Sequence, residues 1–198
     1  MAPPGDEDNM KFCSNCSAPV RFATPSDDDR PRYLCDNCGV IHYQNPRIVA
    51  GSLPVLGSRV LLCKRAIAPC QGCWTLPAGY MENGETTCEA AIRETREEAC
   101  AEIDVDGLYT MIDLPHINQV YMIYLARLHA ERDPGFAAGP ESLDVRLFEE
   151  EEIPWQSLAF STITQTLEHF FKDRKRLAPG EARDFQHYPL HSSVIRRW

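Results

Sequence analysis

The alternation of apolar and polar positions predicts several β-strands along the chain. Two short apolar runs at 48–50 and 60–63 flank Leu56-Gly57-Ser58, and this pattern predicts a hairpin. Further apolar runs of strand length predict β-strands at 108–113, 120–128 and 145–148. The first half of the chain therefore carries a hairpin, and the second half carries three more strands.

The same pattern predicts two helices. Thr86, followed three residues later by Glu89, forms a capping-box pattern and predicts a helix over 86–100. Apolar side chains at helical spacing predict a second helix over 162–171. Residues 173–198 mix charges and prolines, and their pattern predicts no element.

The order of these elements predicts four segments. We expect a flexible tail at 1–10, a small module at 11–43, a main domain at 44–172 and a C-terminal extension at 173–198. Strands interspersed with helices are consistent with an α/β fold for the main domain.

Composition and charge restrict the classes of protein. The chain has 43% hydrophobic and 25% charged residues, which is typical of a globular protein without membrane partners. The acidic start of the chain lacks the features of a signal peptide, so we expect a cytoplasmic protein, or an organellar one if a presequence has been removed. The formal charge of −9 makes nucleic acid an unexpected partner, because binding to phosphate backbones depends on Lys and Arg.

Nine cysteines include two CxxC pairs, separated by 18 residues, at Cys13, Cys16, Cys35 and Cys38. Two such pairs are typical of a structural zinc site with four thiolate ligands, which closes the tetrahedron and leaves no position for chemistry. We therefore predict a zinc ribbon with one Zn²⁺. A third CxxC pair, Cys70 and Cys73, has no further pair with which to complete a four-cysteine site. We expect reduced thiols there rather than a metal or redox site.

Three glutamates lie on one face of the first predicted helix. Glu94, Glu97 and Glu98 are spaced so that their carboxylates point to the same side within one turn. Taken alone, the three carboxylates favour a solvated acidic face, with Arg93 and Arg96 as their partners on the helix. Gly79 and Gly84 precede the helix, and a glycine loop beside clustered carboxylates favours a site for Mg²⁺, which prefers oxygen ligands.

The same segment resembles the Nudix hydrolases, whose motif is Gly, five residues, Glu, seven residues, Arg-Glu-x-x-Glu-Glu. The matching positions are Gly79, Glu85, Arg93, Glu94, Glu97 and Glu98. Two positions depart from the family pattern. Thr95 replaces a bulky apolar residue, and Cys100 replaces a glycine, so that we expect a helix end of different shape.

The resemblance implies a fold, a metal site and a mechanism. The fold is an α/β/α sandwich around a mixed sheet. The ligands of Mg²⁺ or Mn²⁺ are Glu94, Glu97, Glu98 and the carbonyl of Ala78. Arg93 orients the glutamates, and Glu85 braces the loop. The base that deprotonates water is a glutamate of the motif, Glu94 or Glu97, or else Glu141 or Asp144.

A zinc ribbon before such a domain is similar to two groups of Nudix hydrolases. NADH pyrophosphatases carry a Ser-Gln-Pro-Trp-Pro-Phe-Pro segment, whereas this chain reads Leu114-Pro115-His116-Ile117-Asn118-Gln119-Val120-Tyr121. It is more similar to the ADP-ribose/FAD pyrophosphatases. The expected substrate is therefore FAD, cleaved to FMN and AMP, or ADP-ribose. The alternatives are NADH hydrolysis, removal of RNA caps, and a non-enzymatic binding module.

Four residues are candidate contacts to the dinucleotide or nucleotide-sugar substrate. Trp74 and Tyr80 flank the glycine loop and can stack on a ring, although core packing explains them equally well. His116 and Gln119 can hydrogen-bond the nucleotide or serve a structural role. The acidic run 149–152 is expected to be a solvated turn. A homodimer is among the expected assemblies.

Overall fold

A computed structural model describes residues 10–129, 135–177 and 185–196 of the 198-residue chain. Residues 1–9 of the predicted tail lie outside these ranges, as do parts of the predicted extension. The chain divides into two compact units, one ending at Asn45 and the other beginning at Pro46.

The first unit contains a three-stranded antiparallel sheet. Its strands, in spatial order, are β1 (Arg21–Ala23), β2 (Arg32–Leu34) and β3 (Ile41–His42). Each CxxC pair lies in a tight turn, closed by a hydrogen bond from Ser17 N to Cys13 O and from Gly39 N to Cys35 O, both 2.9 Å. Ser17 and Gly39 have positive φ values, which reverse the chain directly after each pair. Local turn chemistry therefore directs both pairs toward each other.

The second unit contains two α-helices and eight strands in its described part. The helices are α1 (Thr87–Ala99) and α2 (Ser161–Arg176). The strands are β4 (Arg47–Leu56), β5 (Arg59–Arg65), β6 (Trp74–Thr75), β7 (Ala78–Tyr80), β8 (Ile103–Leu114), β9 (Gln119–Leu128), β10 (Ser142–Phe148) and β11 (His191–Val194).

These strands form one mixed sheet. The order is β10-β5-β4-β9-β8-β11, with β6 paired to β5 and β7 paired to β4. The pairs β4–β9 and β8–β11 are parallel, and the others are antiparallel. The predicted hairpin is confirmed, because β4 and β5 pair antiparallel across a turn at Gly57.

The two helices cover opposite faces of this sheet. Leu62 of β5 packs in a cluster with α2 residues such as Ile163 and Phe170, whereas its neighbours Leu61 and Cys63 pack with Ala99 of α1. This alternation follows from the two-residue period of a strand. The predicted α/β/α sandwich with a mixed sheet is therefore confirmed.

The prediction for the start of α1 is confirmed, whereas the prediction for its end is wrong. The capping box is confirmed, because Thr86 Oγ1 accepts from Glu89 N while Glu89 accepts from Thr86 N. The expected change of shape at the helix end is wrong. Cys100 adopts the left-handed conformation (φ 48°, ψ 33°) and donates its N–H to Arg96 O, as a terminal glycine would.

Thr95 also has a local explanation. It is fully buried, and its hydroxyl donates to Ala91 O (2.7 Å) and shares a 2.5 Å hydrogen bond with Ser52 Oγ of β4. A pair of hydroxyls thus replaces the apolar contact usual at this helix–sheet junction, and each satisfies the other.

The C-terminal segment contributes to the same sheet. β11 pairs with β8, and residues 173–176 continue α2. His191 Nε2 and Tyr109 Oη both contact Asp173 Oδ2, at 2.6 and 2.9 Å. These contacts satisfy a buried carboxylate and fix β11 to the sheet.

Candidate active site

One cavity of about 920 Å³ collects most of the predicted site residues. It lies where the loop before α1, the carboxylate face of α1 and the N-terminus of α2 meet. Nine of the predicted residues line it: Ala78, Tyr80, Arg93, Glu94, Glu97, Glu98, His116, Gln119 and Glu141. Trp74 and Asp144 do not.

The glycine loop allows α1 to approach β7 closely. A Cβ atom at Gly79 would overlap the carboxylate of Glu94 and displace it, so glycine allows this carboxylate to lie against the loop. Glu94 and Glu98 are consequently 9% and 7% exposed, while the side chain of Glu97 remains 58% exposed. Two of the three carboxylates are thus removed from water beside the loop.

Burial shifts the protonation of these carboxylates. It is the main cause that raises the pKa of Glu98 to about 8, and the nearby charge of Glu94 adds to it. The N–H of Ala78 (3.3 Å from Glu98 Oε2) and the charge of Arg65 oppose this shift. Burial also raises the pKa of Glu94, against the opposing contact with Arg93. Both carboxylates are costly to ionise without a cation.

Arg93 has no hydrogen-bond donor left for a substrate. Its five N–H groups go to Glu85 Oε2 (3.1 Å), Glu85 Oε1 (2.8 Å), Glu94 Oε1 (2.6 Å), Glu97 Oε2 (3.1 Å) and Tyr80 O (3.1 Å). These contacts join the loop to the carboxylate face of α1. The geometry therefore suits the orienting role that the resemblance implies for Arg93.

The loop that brings Glu141 into the cavity also caps α1. Ala137 N donates to Ala99 O (2.8 Å), and Gly139 N donates to Glu98 O (3.0 Å), which satisfies carbonyls at the helix end. A Cβ at Gly139 would overlap Glu97 O, so the loop can approach only because this residue is glycine. Two residues later, Glu141 joins the carboxylates of α1.

The chemistry of this donor set fits a hard divalent cation. Four carboxylates of Glu94, Glu97, Glu98 and Glu141 line one cavity, and two of them are buried with raised pKa values. Oxygen donors with accumulated negative charge are what Mg²⁺ and Mn²⁺ bind. A cation would compensate the cost of ionising the buried pair.

The segment 114–121 forms another wall of the cavity. Gln119 Nε2 donates to Tyr80 Oη (2.9 Å), and the guanidinium of Arg47 lies 5.2 Å from the centre of the Tyr80 ring. Tyr80 is thus held at its hydroxyl and on one face of its ring. His116 and Tyr121 also line this wall.

Two of the predicted site residues lie elsewhere. Trp74 is 8% exposed in the core, where its ring packs edge-on against Phe148 at 4.9 Å. Asp144 pairs with Arg146 (2.6 Å) on β10 and accepts from Val145 N. For Trp74, the structure places the ring in the packing role that the sequence left open.

Arg65, Phe160 and Thr162 are among the cavity residues that sequence reasoning missed. Arg65 ends β5, and the other two begin α2, so they reach the cavity from elements distant in sequence. The one available signal was the position of Arg65 directly after an apolar strand. A charged side chain at a strand end is too common to indicate a site.

The four predicted zinc ligands lie together in the first unit. Their Sγ atoms are all within 4.8 Å of one another, with Cys13–Cys38 at 3.6 Å and Cys16–Cys35 at 3.5 Å. A Zn–S distance of about 2.3 Å in a tetrahedron requires sulfurs about 3.8 Å apart. The cluster therefore fits zinc. Within the described residues, Cys70 and Cys73 belong to no such group.

Comparison with known proteins assigns both units to families. Residues 11–44 match the N-terminal zinc-ribbon family of Nudix proteins, and residues 45–171 match the NUDIX domain. A Nudix hydrolase from Nitrosomonas europaea has a similar solved structure, with 46% identity and a TM-score of 0.85, covering 95% of this chain and 100% of that one.

Curated relatives are similar over shorter stretches of their own length. An ADP-ribose pyrophosphatase of Methanocaldococcus jannaschii is 39% identical over 28% of this chain, and an NAD-capped RNA hydrolase of Stutzerimonas stutzeri is 36% identical over 47%. The mitochondrial NAD(P)H pyrophosphatase of Mus musculus is 27% identical over 96%. This chain spans 33%, 32% and 51% of these relatives, respectively.

The described helices include none with the length and apolar character needed to cross a bilayer. The matched profile covers the carboxylate helix, the glycine loop and the sheet that positions them. With its fold, its motif and its ribbon in agreement, the chain belongs to the Nudix hydrolase family.

Proposed function

We propose that this protein hydrolyses the diphosphate bond of a nucleoside diphosphate derivative, with FAD and ADP-ribose as its preferred substrates. The observation that carries the proposal is the cavity in which four carboxylates, two of them buried, lie beside an aromatic and amide wall. Its volume of about 920 Å³ is near the upper end for small-molecule sites and suits a dinucleotide.

Each group of the cavity has a place in this reaction. Glu94, Glu97 and Glu98, with Ala78 beside them, would hold Mg²⁺ or Mn²⁺. When bound, the cation neutralises diphosphate charge and makes a coordinated water more acidic. Three candidate bases, Glu94, Glu97 and Glu141, line the cavity, and Asp144 does not. Glu97 or Glu141 accepts the proton of the attacking water, because Glu94 is buried beside the loop. The water oxygen then bonds to one phosphorus, and the bridging P–O bond breaks to give two monophosphates.

Two observations support the choice of substrate. His116 and Gln119 line the cavity and offer imidazole and amide groups to a base edge. A ligand that covers these polar groups and matches them is favoured, because a wrong ligand would cover them and leave them unpaired. The archaeal ADP-ribose pyrophosphatase supports ADP-ribose. The four clustered cysteines of the ribbon would bind zinc as thiolates, and this use of cysteine supports a reducing compartment such as the cytoplasm.

NADH is the second candidate substrate. The mouse mitochondrial NAD(P)H pyrophosphatase aligns with 96% of this chain, including both of its units. Removal of caps from RNA has support from the NAD-capped RNA hydrolase relative, but the charge of −9 disfavours a long polyanion.

We expect kcat/KM to be higher for FAD or ADP-ribose than for NADH or NAD-capped RNA. The measurement is a panel of these four substrates with Mg²⁺ and with Mn²⁺. Activity should disappear on chelation, and Glu98→Gln provides the inactive control. NADH as the best substrate would overturn the substrate assignment and leave the hydrolase chemistry standing. If none of the four substrates is hydrolysed with Mg²⁺ or with Mn²⁺, both the substrate assignment and the hydrolase chemistry are contradicted.

We also expect Gln119→Ala to raise KM about threefold to tenfold with little change in kcat, the scale of one lost hydrogen bond. The reason is that Gln119 lies on the wall, where it holds the Tyr80 hydroxyl. Tyr80→Phe loses the same hydrogen bond but keeps the amide. Equal effects of both variants would make Gln119 a positioning residue, whereas an effect of Gln119→Ala alone would place its amide on the substrate. A fall in kcat without a change in KM would contradict the assignment.

A further inference from the structure

The N-terminus of α2 opens into the cavity with unused backbone donors. The first four N–H groups of a helix have no partner within the helix. Here the N–H groups of Ile163 and Thr164 both donate to Phe160 O, at 3.1 and 3.2 Å. Those of Ser161 and Thr162 have no acceptor in the described parts of the chain, and the N-cap residue Phe160 has no side chain that could provide one. All three residues from 160 to 162 line the cavity.

A buried hydroxyl at the same place also lacks a partner. Thr162 is 2% exposed, and within the described residues its Oγ1 makes no hydrogen bond. Leaving such a group unsatisfied costs roughly 1–3 kcal/mol, so most buried hydroxyls have a partner. Thr166, one turn later on α2, shows the usual case, because its hydroxyl donates to Thr162 O (2.8 Å). The missing partner at Thr162 therefore indicates that a bound ligand makes this hydrogen bond.

Arg65 adds a cation with unused donors beside this helix end. Its guanidinium lies 5.2 Å from the centre of the Phe160 ring, and it donates to Pro69 O (2.8 Å) and Ala68 O (3.4 Å). These contacts use two of its five N–H groups, and it makes no ion pair with any described carboxylate. Arg93, the other arginine of the cavity, has all five N–H groups engaged. Of the two arginines, Arg65 is the one equipped to bind an anion.

We propose that the N-terminus of α2, Thr162 and Arg65 together bind one phosphate of the substrate's diphosphate, next to the phosphate held over the carboxylates of α1. The inference rests on the proposed function for the nature of the substrate. Helix N-termini attract anions through their free N–H groups and the helix dipole, and a guanidinium fork matches two phosphate oxygens. Arg65, Thr162 and Glu98 line the same cavity, so the two phosphate positions are neighbours.

This arrangement assigns a direction to the cleavage. Water attacks the phosphorus over α1, and its proton passes to Glu97 or Glu141. The bridging oxygen leaves with the electron pair of the broken P–O bond and remains on the phosphate at α2. That phosphate gains negative charge as the bond breaks, and Arg65 and the α2 N–H groups stabilise it. Arg65 is thus a catalytic residue that contacts the leaving group.

The test is binding of AMP and of adenosine to metal-free protein in the presence of a chelator, measured by calorimetry. Arg65→Gln should weaken AMP binding about tenfold or more, the scale of a charged hydrogen bond, and leave adenosine binding unchanged. Arg65→Lys should recover part of the affinity. Thr162→Val, which removes only the hydroxyl, should weaken AMP binding less. Arg59→Gln removes a charge from the other end of β5 and should change neither affinity.

Each other outcome is decisive. Equal losses for AMP and adenosine would mean that Arg65 only holds the loop at Ala68 and Pro69, and the phosphate site would be wrong. Unchanged AMP binding in Arg65→Gln would also overturn it. Inorganic phosphate should compete with AMP in the parent protein, and failure to compete would contradict a phosphate site. The binding experiment involves no metal and no turnover. The phosphate site can therefore be contradicted while the hydrolase activity is retained, and it can be supported in a protein that shows no hydrolase activity.

Discussion

Glu98→Gln should lower kcat for the preferred dinucleotide by about 100-fold or more. Even an outer partner of a metal ligand is worth roughly 10-fold to 100-fold in activity, and Glu98 is placed to be a ligand itself. Its carboxylate is buried beside Glu94 and the Ala78 N–H, where a neutral amide cannot compensate the charge of a cation. Steady-state kinetics at saturating Mg²⁺ provides the measurement. A variant with near-normal kcat would overturn the metal site.

The same substitution should stabilise the metal-free protein at high pH. The pKa of Glu98 is about 8 in the folded protein and near its ordinary value of 4.5 in the unfolded chain. The folded state therefore retains a proton that the unfolded state loses, and stability falls as the pH rises from about 4.5 to 8. Glutamine resembles the protonated form, so Glu98→Gln should lose this dependence.

Thermal unfolding of chelated protein between pH 5 and pH 9 tests this linkage. The Tm of Glu98→Gln should exceed that of the parent by an amount that grows up to about pH 8 and levels off above it. Glu97→Gln is the matched control, because its side chain is 58% exposed and has no comparable burial to relieve. Parallel Tm profiles for the parent and Glu98→Gln would contradict the buried, cation-requiring carboxylate.

The parts of the site that lie within one continuous segment, the start of α1 and its carboxylate face, could be predicted from local sequence signals. The helix start at Thr86 and the shared face of the three glutamates follow from residues a few positions apart, and both are observed. The left-handed Cys100 shows the limit of a residue preference. The loop at Ala137 and Gly139 packs against the end of α1, and the surrounding structure imposes a conformation that cysteine alone disfavours.

Contacts between distant segments were beyond such signals. The anchoring of β11 depends on His191 meeting Asp173 and on pairing with β8, and no sequence pattern near residue 191 encodes either partner. Arg65 and Thr162 are 97 positions apart and meet only because β5 and the start of α2 converge on the cavity. The sequence position of Trp74 was compatible with stacking on a ligand or with packing in the core. The pairing of β6 with β5 places its ring in the core.

Purified protein should contain one zinc per chain, and Cys35→Ser should lose it together with the fold of the ribbon. Four sulfurs within 4.8 Å of one another carry too much negative charge as thiolates to remain close without a cation. A module of about 30 residues buries too little apolar surface to fold unaided. Structural zinc supplies roughly 10–16 kcal/mol in comparable peptides, and a serine ligand cannot replace a thiolate.

Elemental analysis of protein purified without added metal gives the stoichiometry, and amide hydrogen exchange over residues 11–43 reports the fold of the ribbon. Cys70→Ser is the matched control, because it removes an exposed thiol of a CxxC pair outside the cluster. It should retain one zinc and full protection, whereas Cys35→Ser should lose both. A second zinc in the parent that disappears in Cys70→Ser would revise the role of the third pair. If Cys35 is a ligand, its replacement leaves three thiolates and an open, exchangeable metal site. A Cys35→Ser protein that keeps its zinc and its protection would therefore show that Cys35 is not a ligand.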